Sequence, residues 1–188
     1  MIKNIVPHVI LSIILSLLLF NVQANEINWK PIQDGNKIIL IRHALAPGGG
    51  DPAGFKINDC STQRNLNQAG IDQSKKIGKL FKKNKVLIDQ VLTSQWCRCK
   101  DTAKYAFKNY KEFSALNSTF QSSNYKKAEQ QIKEIMSFVK NWNGSGENLI
   151  LITHYVIITA ITDAVPRSGE IVITDKNFKV LSTIKTLP

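Results

Sequence analysis

Two stretches decide the fold: Lys37-Ile38-Ile39-Leu40-Ile41-Arg42-His43 and Asn148-Leu149-Ile150-Leu151-Ile152-Thr153-His154. Each is a short, nearly continuous apolar run, the pattern of a strand covered on both faces in a parallel sheet. Outward from them the chain alternates. A loop rich in Gly and Pro runs from Ala46 to about Thr62. Helical spacing follows over Leu66 to Lys83, carried by Leu66, Ala69, Ile77, Leu80 and Phe81. Val86 to Thr93 reads as a strand, Trp96 to Tyr110 as a helix and Glu112 to Leu116 as a short strand. Tyr125 to Trp142 is helical, with Ile132, Ile135, Met136 and Val139 on one face, and stops at Asn143-Gly144-Ser145-Gly146. A helix starts at Tyr155 and ends near Pro166. Glu170 to Thr174 and Phe178 to Ile184 flank Asp175-Lys176-Asn177 as a hairpin. This order predicts one α/β domain: a three-layer sandwich with a mainly parallel central sheet flanked by helices, and a C-terminal β-hairpin.

The chain of 188 residues is 43% apolar and 21% charged, which suits one core and excludes disorder. Residues 1–24 read as a separate object. Lys3 precedes an apolar run from Val9 to Phe20, and Val22-Gln23-Ala24 offers small residues for cleavage. The reading is a signal peptide cleaved after Ala24, leaving residues 25–188 as a periplasmic or secreted domain. An uncleaved anchor is the alternative. The run is shorter than the roughly 20 residues of a membrane span. Leu149 to Ile161, the next most apolar stretch, is also too short and contains His154, so no integral span is expected after cleavage.

The formal charge of +11 favours anionic partners. Lys75, Lys76, Lys79, Lys82, Lys83 and Lys85 imitate a nucleic-acid patch. They fit better as the solvated face opposite Ile77, Leu80 and Phe81, and no nucleic-acid partner is expected. Cys97 and Cys99 are too close to pair comfortably, whereas Cys60 can pair with either and leave one thiol free. Three Cys with no fourth ligand at the usual spacing make a poor metal set.

The scarce residues point to one site. Only four basic residues are Arg, and loss of the leader takes His8, leaving His43 and His154. Both His follow buried strands directly, and ligands bind at the carboxyl ends of strands in such sheets. Arg42 adjoins the first, and Arg98 lies just past a third strand. A guanidinium fork binds phosphate oxygens bidentately. A neutral imidazole is a nucleophile toward phosphorus, and a second can hydrogen-bond the transferring group. Two Arg and two His around one anion supply what phosphoryl transfer needs, with no metal or cofactor expected. No HxH or HxxxH pair and no Gly-x-Ser-x-Gly elbow is present.

Arg42-His43-Ala44 resembles the RHG signature of the histidine phosphatase (phosphoglycerate mutase-like) superfamily, with Ala in place of Gly. Arg64 to Gln73 resembles its L-[ST]-x-x-G-x-x-Q-A helix start. Val91 to Ala103 is similar to its V-x-[ST]-S-x-x-x-R-x-x-x-T-A block, and Leu149 to His154 to its late strand. The four blocks stand in the family's order across about residues 36–165. The resemblance implies that His43 forms a phosphohistidine and that Arg42, Arg98 and His154 bind the phosphoryl oxygens. Arg64 adjoins the matched helix start, where it either lines the substrate entrance or is a surface charge. The family's acidic proton donor has no counterpart, because Leu116 is followed by Asn117-Ser118-Thr119 and His154 by Tyr155. Asp51, Asp59 and Glu112 are the candidates. Asp51 is preferred, since its loop should hang over His43.

Three function classes follow. The first is an exported, metal-independent phosphatase acting on a small phosphorylated molecule or a cell-envelope phosphate, the latter because the resemblance extends to small exported members proposed to act on lipopolysaccharide-core phosphate. Mutase action is disfavoured by export. The second is a catalytically weak or inactive phosphate-binding module of the same fold, motivated by the missing acid and by Ala44. The third, a basic structural protein of the envelope, leaves the placement of Arg and His unexplained.

Overall fold

The computed structural model describes residues 29–120 and 125–188, so the expected leader lies outside the described residues. Helices α1 (Lys30–Gln33), α2 (Gln68–Lys83), α3 (Cys97–Phe107), α4 (Tyr125–Asn141) and α5 (Tyr155–Thr162) accompany six strands. These are β1 (Ile38–Arg42), β2 (Ile88–Thr93), β3 (Lys111–Glu112), β4 (Asn148–Thr153), β5 (Ile171–Thr174) and β6 (Val180–Ile184). The sheet order is β3-β2-β4-β1-β5-β6. The first four strands of that order pair in parallel, while β5 runs antiparallel to β1 and β6 antiparallel to β5. No described helix is long and apolar enough to cross a membrane.

The uninterrupted apolar runs follow from a sheet covered on both faces. Ile39 and Ile41 of β1, with Ile150 and Ile152 of β4, enter a core closed by Ile77 and Phe81 of α2 and Ala103 of α3. Ile38, Leu40, Leu149 and Leu151 point the other way, against Ile135 and Val139 of α4 and Ile157 and Ile158 of α5. Burying each such side chain contributes about 1.5–3 kcal/mol. Asn67 caps α2 by accepting from the Gly70 amide at 2.9 Å. Gly70 itself lets that helix touch the loop after β1, since a Cβ there would lie 2.1 Å from the Leu45 carbonyl oxygen.

Two local readings need correction. The strand expected over Glu112 to Leu116 is only Lys111–Glu112. After it, Ser114–Leu116 forms a 3-10 turn that carries Ala115 and Leu116 into the second core. The hairpin's return strand begins at Val180, because Phe178 sits at φ +61° in the turn. Helix α1 is too short to show any periodicity in the sequence.

Cys60 is bonded to Cys97 across 37 residues, with Cα atoms 5.7 Å apart, and Cys99 is a buried free thiol. A closure of that length stabilises the folded state by about 4 kcal/mol in the chain-entropy treatment. Its effect here is local: it ties the Gly-rich loop to the start of α3, one residue before Arg98.

Candidate active site

Strands β1 and β4 lie side by side with Arg42 opposite Thr153, so the next residue of each is a histidine. The His43 amide continues the ladder onto the Thr153 carbonyl at 2.9 Å. The two imidazoles are 5.5 Å apart between centroids, and each residue is only 2% exposed. They open, with Arg42, Asp51, Arg64, Arg98 and the backbone of Gly48–Gly50, into a cavity of about 110 Å³. All six residues singled out from the sequence therefore meet at one place. A larger groove of about 860 Å³, beside Asp89, Phe138 and Trp142, holds neither His nor Arg.

The proton on His43 is placed by its neighbour. Nδ1 lies 2.8 Å from the Ala44 carbonyl, which only accepts, so Nδ1 carries the hydrogen and Nε2 keeps its lone pair. Thr102 holds this turn: its hydroxyl accepts from the Ala44 amide at 3.0 Å and donates to the Arg98 carbonyl at 2.7 Å. Burial first, and then the charges of Arg98, Arg42 and Arg64, hold the His43 pKa well below the ordinary value of 6.5, although the bond to Ala44 opposes this. The ring is neutral at physiological pH.

His154 is set by a longer chain. The Gln95 amide and the Ser94 hydroxyl both donate to Asn117 Oδ1, at 2.8 and 3.1 Å. Ser94 Oγ is then free to accept from His154 Nε2 at 2.9 Å, which leaves Nδ1 bare and 3.5 Å from Arg98 Nη2. Burial, followed by the proximity of His43 and Arg98, depresses this pKa too. Cys99 lies 3.5 Å from His154 Nε2, but burial pushes its thiol up to about 12, so it is not a thiolate.

Asp51 does not stand where a proton donor should. Arg98 Nη1 donates to Oδ1 at 2.7 Å and Nη2 to Oδ2 at 3.1 Å, in a pair with both side chains 3% exposed. The Trp96 indole and the Arg64 amide add donations at 2.9 and 3.1 Å. Burial alone would raise its pKa, but the bonds from Arg98 and Trp96 outweigh it and hold the carboxyl below its ordinary range. Asp51 is thus an ionised anchor for Arg98. As a carboxylate it does not bind an anionic group directly. The other two acid candidates do not line the cavity: Asp59 caps the turn at Ser61, and Glu112 pairs with Lys100.

The guanidiniums keep unused donors. Arg42 Nη1 donates to the Pro166 carbonyl at 3.0 Å, and Arg64 spends Nε on Gly50 and Nη1 on Ala46. Arg42 Nε and Arg98 Nε are buried with no hydrogen-bond partner among the described residues. A buried donor left unpaired costs about 1–3 kcal/mol, which an oxyanion between them would recover. Sequence reasoning missed Trp96, Asn117, Phe120 and Tyr155 as parts of the site. It matched Ser94 and Thr102 to a motif without giving either a role.

No protein-family model and no curated protein matches the chain. Solved structures do. SixA from Agrobacterium tumefaciens, assigned as a phosphohistidine phosphatase, superposes with a TM-score of 0.56 at 15% identity, over 80% of this chain and 97% of that one. The protein histidine phosphatase SixA complexed with tungstate gives 0.52 at 14%, over 80% and 96%. An Escherichia coli protein assigned as an α-ribazole-5′-phosphate phosphatase gives 0.53 at 14%, over 80% and 95%. These superpositions show that the chain adopts the fold of the histidine phosphatases.

Proposed function

We propose that the chain is an exported phosphatase that hydrolyses a phosphomonoester through a phosphohistidine on His43, without a metal. The observation that carries this reading is the bare Nε2 of a neutral, buried His43 in a cavity ringed by three guanidiniums. Nε2 attacks phosphorus, the P–O bond to the leaving group breaks, and the leaving oxygen takes the electron pair. Water then attacks the phosphohistidine, which releases inorganic phosphate and restores the imidazole. Arg42 and Arg98 face the equatorial oxygens with their unused N–H groups. His154 becomes a donor to the same oxygens when Nδ1 takes up a proton. The likeness to named phosphatases supports the reaction class, and the Cys60–Cys97 bond suits an oxidising compartment outside the cytosol.

One observation favours the alternative, a phosphate-binding module: Asp51 already takes a donor from each Nη of Arg98. The same feature shapes the test. With Asp51 ionised, the cavity lining offers no carboxylic acid to protonate the leaving group. The purified protein is expected to hydrolyse p-nitrophenyl phosphate at an undiminished rate in chelator. Alkyl phosphates, with far more basic leaving groups, should react at least about 10²-fold more slowly, the contribution a general acid would make. Equal rates for both esters would mean that a proton donor exists. No hydrolysis of either would leave the binding module.

A further inference from the structure

Two unlike walls form the mouth of the cavity. One is the backbone of Gly48, Gly49 and Gly50. Gly48 has φ +93°, a conformation that only glycine adopts without strain, and a Cβ built on Gly49 meets nothing within 4 Å. Arg64, which also lines the cavity, ties this wall down by donating to the Gly50 and Ala46 carbonyls. The other wall is aromatic. The Phe120 and Tyr155 rings lie 5.9 Å apart at 60°, and the Arg42 guanidinium sits 5.2 Å from the Tyr155 centroid. Phe120 is 56% exposed, although it lines a cavity whose other side chains are all polar. An exposed Phe has no evident role in the core there. It gives the cavity a flat apolar face, while the Gly48–Gly50 stretch lines the same cavity without side chains.

We infer that the substrate carries a flat aromatic ring directly beyond its phosphoryl group, seated between the Gly48–Gly50 backbone and the Phe120–Tyr155 pair. This rests on the phosphatase reading for its chemistry, but its geometry concerns binding alone. The cavity of about 110 Å³ takes the phosphoryl group, and the ring lies in the slot above it. Tyr155 is fixed there because it follows His154 directly at the start of α5.

Phosphonates separate binding from turnover. Calorimetric titration of the full-length protein with phenylphosphonate, methylphosphonate and cyclohexylphosphonate is expected to rank phenyl about three- to tenfold tighter than the other two, as an aromatic contact of this kind allows. Phe120→Ala should erase that preference and leave methylphosphonate affinity unchanged. Gly49→Val, which adds bulk on the open side, should weaken phenylphosphonate selectively. Equal binding of all three, a phenyl preference that survives Phe120→Ala, or a cyclohexyl group that matches phenyl would each overturn the inference. The phenyl preference without any ester turnover would retain the slot and sink the phosphatase reading. Turnover without the preference would sink the slot alone.

Discussion

Replacing His43 with Ala is expected to abolish hydrolysis of p-nitrophenyl phosphate, by at least about 10³-fold, while the protein stays folded. The size of the loss follows from the role. A residue that forms the covalent intermediate has no partial substitute, and what remains is catalysis by binding and charge alone. The fold should tolerate the change. The ring donates one hydrogen bond, to the adjacent Ala44 carbonyl, and otherwise faces the cavity and His154. The pH profile carries the same signature. Because burial and the three guanidiniums depress the His43 pKa, the nucleophile stays neutral below pH 6.5, and kcat/KM should not fall as pH drops through that value. Steady-state assays of the wild type and His43→Ala with circular dichroism read both. Turnover within tenfold of wild type in a folded His43→Ala protein would remove His43 from the chemistry.

Arg98→Ala is expected to damage activity and stability together, and Asp51 explains why. Loss of the guanidinium removes the donors that the proposed mechanism assigns to the equatorial oxygens, worth roughly 10²–10³-fold in turnover. It also strands a carboxylate that is 3% exposed and loses its paired charge. Breaking one side of a buried pair costs about 3–5 kcal/mol, enough to lower Tm by about 10 °C in a domain of this size. The double variant Arg98→Ala with Asp51→Ala removes the stranded charge and should regain part of the lost Tm but none of the lost activity. Thermal melts and assays of both proteins separate the two effects. A double variant no more stable than Arg98→Ala would contradict the pairing, and an active Arg98→Ala would contradict the role at phosphate.

Much of this was legible in the residues. Two unbroken apolar runs that each end in His implied buried parallel strands, and the rarity of Arg marked the same end of the sheet. What the sequence did not contain was the third dimension of the loops. Asp51 looked free to act as an acid because its partners, Trp96 and Arg98, lie more than forty residues away. The Ser94–Asn117–His154 chain likewise joins three distant segments. Cys97 and Cys99 could not be separated as partners of Cys60 until helix α3 was placed. Two residues apart on a helix they point about 200° apart, with Cys97 toward the loop and Cys99 into the core. Phe120 carried no signal, since a lone Phe in a polar stretch resembles any surface residue.

The central claim is that His43 Nε2 makes a bond to phosphorus. Rapid acid-free quenching of the protein during turnover of a phosphomonoester, followed by peptide mass spectrometry under alkaline conditions, tests it most directly. The account predicts an acid-labile, base-stable phosphate on the peptide carrying His43, absent from His43→Ala. Steady turnover with no such adduct, or phosphate recovered on another residue, would contradict it.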